Sequence, residues 1–489
     1  MYHKTKSMKK TTLRHTLLRA TALAILVASA TARTWAQNYF DANGGYFGPT
    51  EEYPKYGGAF YTGNYESPFK TYLGKTDAEI QAKLDELWNH YFGDDRNRKV
   101  YYEAGRDGAY IYDTSNNDVR SEGMAYGMMI CVQTDHKKEF DKLWNWTKQH
   151  KWIKSGNWDG YFAWQNSTDG TMRDRNNDPG AEVYFMMSLL FAANRWHDAS
   201  YMQDAQYILR KCWKNGTGSL FNESQGIITF QPYNAYDFSD PSYDLPAFVD
   251  LFARWTETNK DKWKRATTAT RTHLYNSSNP KSGLFSEYNN FDGTPHSVSY
   301  NNSATKYMYD AMRCAMNFGM DYYLFGVDAE RQQKMAKRII DFFEADQYTH
   351  ARFNWDGTDA SESYTLGERG CNAVACYALM NLPEYEDIIR TNLRMAWNAK
   401  PMTGQYRYYD GLVHYMAMLH LCGSFRIWKP EEEIPIPYQN QYHAIITGIK
   451  SPTTFSDGRA WYTLDGVRLS GKPTAKGAYI NNGRKVVIN

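Results

Sequence analysis

Asp118-Val119-Arg120-Ser121-Glu122-Gly123-Met124-Ala125-Tyr126-Gly127-Met128-Met129 sets one carboxylate in the first turn of an otherwise apolar segment. Ser121 can cap the helix start. The run from Met124 to Val132 is too apolar and too glycine-spaced to be a solvent face, so the segment reads as a helix covered all round. Glu122 then points into a buried or cleft environment, where a carboxyl holds its proton longer, as a general acid must. The commoner fate of a first-turn acid is only to neutralise its own helix N-terminus, and this segment alone leaves that reading ahead.

A second stretch changes the balance. Lys306-Tyr307-Met308-Tyr309-Asp310-Ala311-Met312-Arg313-Cys314-Ala315-Met316-Asn317 again places a single acid in an aromatic and Met-rich helix, read as spanning roughly 304 to 325. Arg313 stands one helical turn beyond Asp310, on the same side, where it can orient the carboxylate and keep it ionised. A structural Asp–Arg pair accounts for this motif equally well by itself. Together, two inward-facing acids, one biased towards the protonated form and one towards the ionised form, are the chemical minimum for splitting a glycosidic bond.

Helical periodicity fills the rest of the chain and comes in twos. Thr76 to Phe92 opens with Thr76 and Glu79 in capping-box spacing. Amphipathic or charged segments at 137–150, 202–213, 261–275, 328–344 and 384–397 then alternate with apolar ones at 182–196, 245–255, 372–382 and 408–421, besides the two acid-bearing segments. That makes about twelve helices, and the alternation suits two layers, an inner helix being covered on every side and an outer one on only one. Long aromatic connections precede the apolar segments: 156–175 with Trp158, Tyr161, Phe162 and Trp164, 230–243 with Tyr233, Tyr236 and Tyr243, and 287–300 with Tyr288, Phe291 and His296. Loops of that length in a compact domain are usually functional.

The acid-bearing stretches and the text around them resemble glycoside hydrolase family 8. Asp118 to Met129 is similar to that family's general-acid segment and Tyr309 to Arg313 to its general-base segment. Gly160-Tyr161-Phe162-Ala163-Trp164, Glu182-Val183-Tyr184-Phe185, Phe238-Ser239-Asp240-Pro241-Ser242-Tyr243, Phe291-Asp292-Gly293-Thr294-Pro295 and Gly404 to Asp410 are closest to the branch of reducing-end xylose-releasing exo-oligoxylanases and related xylanases. The resemblance runs from about Tyr46 to Trp428. It implies an all-α (α/α)6 barrel and an inverting hydrolase acting on β-1,4-xylan or xylo-oligosaccharides, with Glu122 as proton donor and Asp310 as proton acceptor. Arg313, Asp178 and Glu182 are the candidate supporting residues, and Trp164, Tyr161, Tyr243, Tyr309, Arg407 and Tyr408 the candidate sugar-binding ones. No metal or organic cofactor is expected. A β-1,4-glucanase or chitosanase of the same family, and a non-catalytic glycan-binding protein, are the alternatives.

Two positions depart from the family pattern. Gly180 stands where relatives commonly carry a third acid, which leaves Asp178 or Glu182 as its substitute. Ser363-Tyr364-Thr365-Leu366-Gly367 stands where the exo-acting branch has a Leu-His-Pro kink that blocks one end of the cleft, which leaves exo and endo action both open.

Composition agrees with this frame. A formal net charge of +2 gives no basic field for nucleic acid. Forty Tyr and fifteen Trp supply rings of the kind that stack on sugars, although the same residues serve as ordinary core. Lys9, Lys10, Arg14 and Arg19 before Ala22 to Ala28 read as a signal peptide over 1–36, so export to the periplasm, cell surface or medium is expected, with no membrane span. The hydrolase domain is then 37–429, expected to be a monomer. The six cysteines carry no metal spacing and read as buried thiols. Residues 430–440 form a Pro-rich linker, and 441–489 a short β tail with hairpins on Asp465-Gly466 and Asn482-Gly483. That tail is similar to the C-terminal sorting signals of the type IX secretion system; a small β appendage is the equal alternative.

Overall fold

The structure, a computed structural model, describes residues 58–214, 218–232 and 237–431, and parts of 461–488. The leader over 1–36, the linker over 432–440, and Tyr233 and Tyr236 lie outside the described residues. The chain divides into two compact units, Met1–Lys429 and Pro430–Asn489.

Among the described residues, the first unit carries twelve helices of ten or more residues: α1 (Asp77–Tyr91), α2 (Ser121–Thr134), α3 (Lys137–His150), α4 (Pro179–Trp196), α5 (Ala199–Lys211), α6 (Pro246–Trp255), α7 (Lys260–Ser277), α8 (Arg313–Leu324), α9 (Ala329–Ala345), α10 (Leu366–Ala375), α11 (Glu386–Asn398) and α12 (Tyr409–Leu421). The even-numbered helices touch in a cycle, each meeting the next and α12 returning to α2, while the odd-numbered helices pack against them, α3, α5, α7, α9 and α11 each on a sequence neighbour and α1 on α12. Residue patterning explains the layers. α4 is buried from Pro179 to Arg195 and has no polar face to show to water. α9 buries Gln332, Met335, Ala336, Ile339, Ile340 and Phe343, a one-sided stripe at helical spacing. Burial of each large apolar side chain in that stripe contributes about 1.5–3 kcal/mol. The Thr76–Glu79 capping box is present at the start of α1.

Glycines let the inner helices meet closely. A Cβ on Gly319 of α8 would lie 2.4 Å from the Val374 carbonyl oxygen of α10, and one on Gly370 of α10 would lie 2.7 Å from the Ala417 Cβ of α12. All six cysteines are buried and unpaired.

The Asp310 segment departs from its expected helix. Lys306–Tyr307 is a strand paired with Phe353 and Asn354, Met308 to Met312 make the turn that follows, and α8 begins only at Arg313. Tyr307 is buried by strand pairing rather than on a helix face, so its apolar character was read with the wrong period. α10 likewise starts earlier than expected, on a Thr365–Glu368 capping box, and tightens into a 3-10 turn over Cys376–Leu379.

In the second unit, Trp461–Tyr462 pairs antiparallel with Arg468–Leu469 and with Gly477–Asn481, which pairs in turn with Arg484–Ile488.

Candidate active site

Glu122 stands at the second residue of α2, and what precedes the helix is extended chain. Val119 and Arg120 pair with Asn166 and Gln165, and the Ser121 amide donates to the Trp164 carbonyl at 2.9 Å. This pairing corrects the expectation that Ser121 caps the helix. Ser121 is already its first residue, Arg120 holds the cap position, and the buried Ser121 hydroxyl has no hydrogen-bond partner among the described residues. The Glu122 side chain is 14% exposed. Burial pushes its carboxyl up to about 8, against the opposing pull of Arg313.

Arg313, the first residue of α8, joins the two acids. Its Nη1 donates to Glu122 Oε1 at 2.5 Å and to the Tyr126 hydroxyl at 2.7 Å. Its Nη2 lies 3.0 Å from Asp310 Oδ1 and donates to Ser242 Oγ at 2.8 Å. One guanidinium thus stands between the two carboxyl groups. Asp310 is held further by the Tyr409 hydroxyl, which donates to its Oδ1 at 3.2 Å and to the Tyr309 carbonyl at 2.9 Å. Its backbone amide donates to Glu287 Oε1 at 2.9 Å.

Glu122, Asp310 and Arg313 open onto one cleft of about 530 Å³. Its walls carry Trp164, Tyr243, Tyr288, Tyr300 and Phe230, with Arg120, Asp174, Asn177 and Asp178 among the polar groups. Such a mixture of flat apolar rings and carboxylates around a paired acid set suits a sugar chain, which offers C–H faces and hydroxyls. No set of three His, Cys, Asp or Glu side chains able to hold a metal occurs among the described residues.

The model of the glycosyl hydrolases family 8 matches residues 101–422. The chain belongs to this family. A reducing end xylose-releasing exo-oligoxylanase of Halalkalibacterium halodurans is 37% identical over 386 residues, which are 76% of this chain and 97% of that protein. Rex8A of Paenibacillus barcinonensis, solved in complex with xylose, is 35% identical, with a TM-score of 0.71 over 76% of this chain and all of that one. A family 8 xylobiose complex from Teredinibacter turnerae is 35% identical, with a TM-score of 0.72 and the same coverage. This chain is accordingly a glycoside hydrolase of family 8.

Within this family 8 chain the expected supporting acids separate. Asp178 lines the cleft and caps α4, accepting from the Gly180 and Ala181 amides at 3.0 and 3.3 Å, and burial raises its carboxyl. Glu182 is turned away from the cleft: its Oε1 accepts from the Phe162 amide at 2.9 Å and from Asn177 Nδ2 at 3.3 Å. It fixes the 162–177 loop in the interior, where burial raises its carboxyl strongly. Gly180 leaves room for Tyr243, since a Cβ there would lie 2.7 Å from Tyr243 Cδ1.

The expected sugar-binding residues divide as well. Trp164 and Tyr243 line the cleft, and Tyr309, 45% exposed, stands beside Asp310. Tyr161 is fully buried, its hydroxyl donating to the Lys211 and Gly218 carbonyls at 3.0 and 2.6 Å, so it braces the fold instead. Arg407 is buried too, donating to the Lys99 and Arg96 carbonyls at 2.8 and 3.0 Å. Tyr408 packs under Gly123, where a Cβ would come within 2.5 Å of its ring. It supports the Glu122 helix from behind and shows no face to the cleft.

Sequence reasoning missed Tyr126, Tyr409, Asp240 and Glu287. Asp240 is fully buried and accepts from the Ser242 amide at 2.8 Å; burial and the nearby Asp310 push its carboxyl well up. Burial and the nearby Asp310 also push the Glu287 carboxyl, up to about 8. Tyr126 could have been found at i+4 from Glu122, but Asp240 and Glu287 reach the site from loops with no periodic signal.

Proposed function

We propose that this family 8 chain, folded as an (α/α)6 barrel, hydrolyses β-1,4-xylosidic bonds of xylo-oligosaccharides by a single displacement. The observation that carries the reading is the Glu122–Arg313–Asp310 arrangement on one aromatic cleft. A carboxyl pushed up to about 8 is protonated at neutral pH, so Glu122 gives its proton to the leaving glycosidic oxygen. Arg313, at 2.5 Å, stabilises the carboxylate that forms. Asp310, oriented by Tyr409 and Arg313 Nη2, takes the proton of a water that attacks the opposite face of the sugar. Inversion calls for two carboxyls about 6.5–9.5 Å apart rather than the shorter spacing of a nucleophile pair, and Arg313 bound to both acids through different nitrogens is compatible with that arrangement. Asp178, on the cleft, is the supporting acid.

The substrate class rests on relatives named for releasing xylose from reducing ends and on neighbours solved with xylose and xylobiose. Exposed rings agree: Tyr300 at 61% lines the cleft and Tyr309 at 45% adjoins the base. Release of single xylose units is favoured over internal cleavage because those relatives span nearly their whole length in this chain. Timed digestion of xylohexaose followed by proton NMR tests both points. Xylose and xylopentaose as sole first products, with the α anomer formed first, are expected; early xylotriose would overturn exo action, and early β anomer would overturn Asp310 as a base acting through water.

All site residues come from one chain, so a monomer suffices. The basic and apolar leader addresses the enzyme for export, and the tail over 441–489 is either a sorting signal or a small β appendage. N-terminal sequencing of exported protein should begin at Gln37, and retention of an intact leader would contradict the address.

A further inference from the structure

Lys151, immediately after α3, is fully buried, yet among the described residues none of the hydrogen bonds of its ammonium goes to a carboxylate. The three N–H bonds of Nζ are shared instead among four neutral oxygens: the Val119 carbonyl at 2.8 Å, Asn166 Oδ1 at 2.9 Å, and the Ala163 and Trp164 carbonyls at 3.2 Å each. Burial pushes its pKa well down, with Asp118 and Asp178 opposing and Arg120 adding to the fall. Taking an ammonium out of water costs several kcal/mol, and a well-packed apolar residue in such a place is often neutral or stabilising. Stability therefore does not explain this lysine; the identity of its partners does.

Those partners are the two chain segments that carry the cleft. The Val119 carbonyl lies three residues before Glu122, at the point where the extended chain enters α2. Ala163, Trp164 and Asn166 belong to the segment that presents Trp164 to the cleft. The Trp164 carbonyl is shared, accepting from Lys151 Nζ and from the amide of Ser121, the first residue of α2. Asn166 is tied in by its own donors to the His150 and Gly170 carbonyls at 2.9 and 3.1 Å. Moving or removing the ammonium would leave converging carbonyl dipoles facing one another, and the two segments would part.

We propose that Lys151 is a positioning residue for proton donation: its ammonium clamps the entry of α2 to the Trp164 segment and so sets where the Glu122 carboxyl stands against the leaving oxygen. The inference rests on the reading of Glu122 as proton donor, and the experiment separates the two.

Lys151→Met, which keeps length and removes the charge, is compared with the unaltered enzyme on xylohexaose and on β-xylobiosyl fluoride. The leaving sugar oxygen of xylohexaose needs a proton, whereas fluoride departs without one. A misplaced Glu122 should cost on the order of tenfold or more in kcat/KM on xylohexaose, and less than about threefold on the fluoride. Equal losses on both substrates, or no loss on either, would overturn the proposal, since a smaller folded fraction or a purely structural lysine cannot discriminate between leaving groups. If Lys151→Met does not fold, Asn166→Ala, which removes one of the four acceptors and keeps the ammonium, is read by the same ratio. Glu122→Gln is the reference: if it too ignores the leaving group, the proton-donor reading falls, whereas selectivity in Glu122→Gln without selectivity in Lys151→Met removes only the role of Lys151.

Discussion

At the scale of single residues, the site turns on one guanidinium that contacts two carboxyl groups. Glu122→Gln and Asp310→Asn should each lower turnover by about 10²–10⁴ with unchanged melting, because acid–base assistance is worth about that much. Near-full activity of either variant on xylohexaose would remove that residue from the reaction. The raised Glu122 carboxyl also fixes a sign: the protonated form is the active one, so kcat/KM should fall as pH rises through about 8. Arg313 opposes that rise, so Arg313→Met should move the alkaline limb to still higher pH while lowering the maximum. An alkaline limb that stays in place would show that Glu122 does not control it. Glu122 and Asp310 stand out in the sequence because each is the lone acid of an apolar stretch, and the structure brings both to one cleft. Tyr161 and Arg407 were misread because the same residue types bind sugars and brace loops, and only burial distinguishes the two.

At the scale of elements, the inner helices depend on backbone-to-backbone contact as much as on side-chain packing. Gly319→Ala would press a methyl against the Val374 carbonyl at 2.4 Å, an atom that cannot rotate away. The expected cost is about 1–3 kcal/mol, read as a lower urea midpoint with unchanged slope. An unchanged midpoint would show that α8 and α10 can shift apart freely. Helix existence was legible throughout, from capping at Thr76 to the stripe of α9. The failure over 304–312 came from a stretch whose apolar residues suit strand and helix alike. Its tertiary partners, the Phe353–Asn354 strand and the Glu287 carboxyl on the Asp310 amide, decide the outcome. Moving Asp310 off a helix face and into a turn is also what lets Tyr409 reach it.

At the scale of the whole molecule, the first unit contains every residue of the cleft, ending well before Lys429. A chain stopped after Lys429 should therefore keep kcat/KM on xylohexaose within about twofold, as expected of a domain with its own core. A large loss would assign the second unit a part in catalysis. The sequence by itself determined the number and alternation of helices, the family, and the two lone acids, because these depend on local periodicity and on residue identity. The tertiary structure alone decided which other acids reach the cleft, that Glu182 turns away from it, and that a buried lysine holds its wall. Those outcomes depend on burial and on contacts between segments far apart in the chain, and neither is written in the spacing of neighbouring residues.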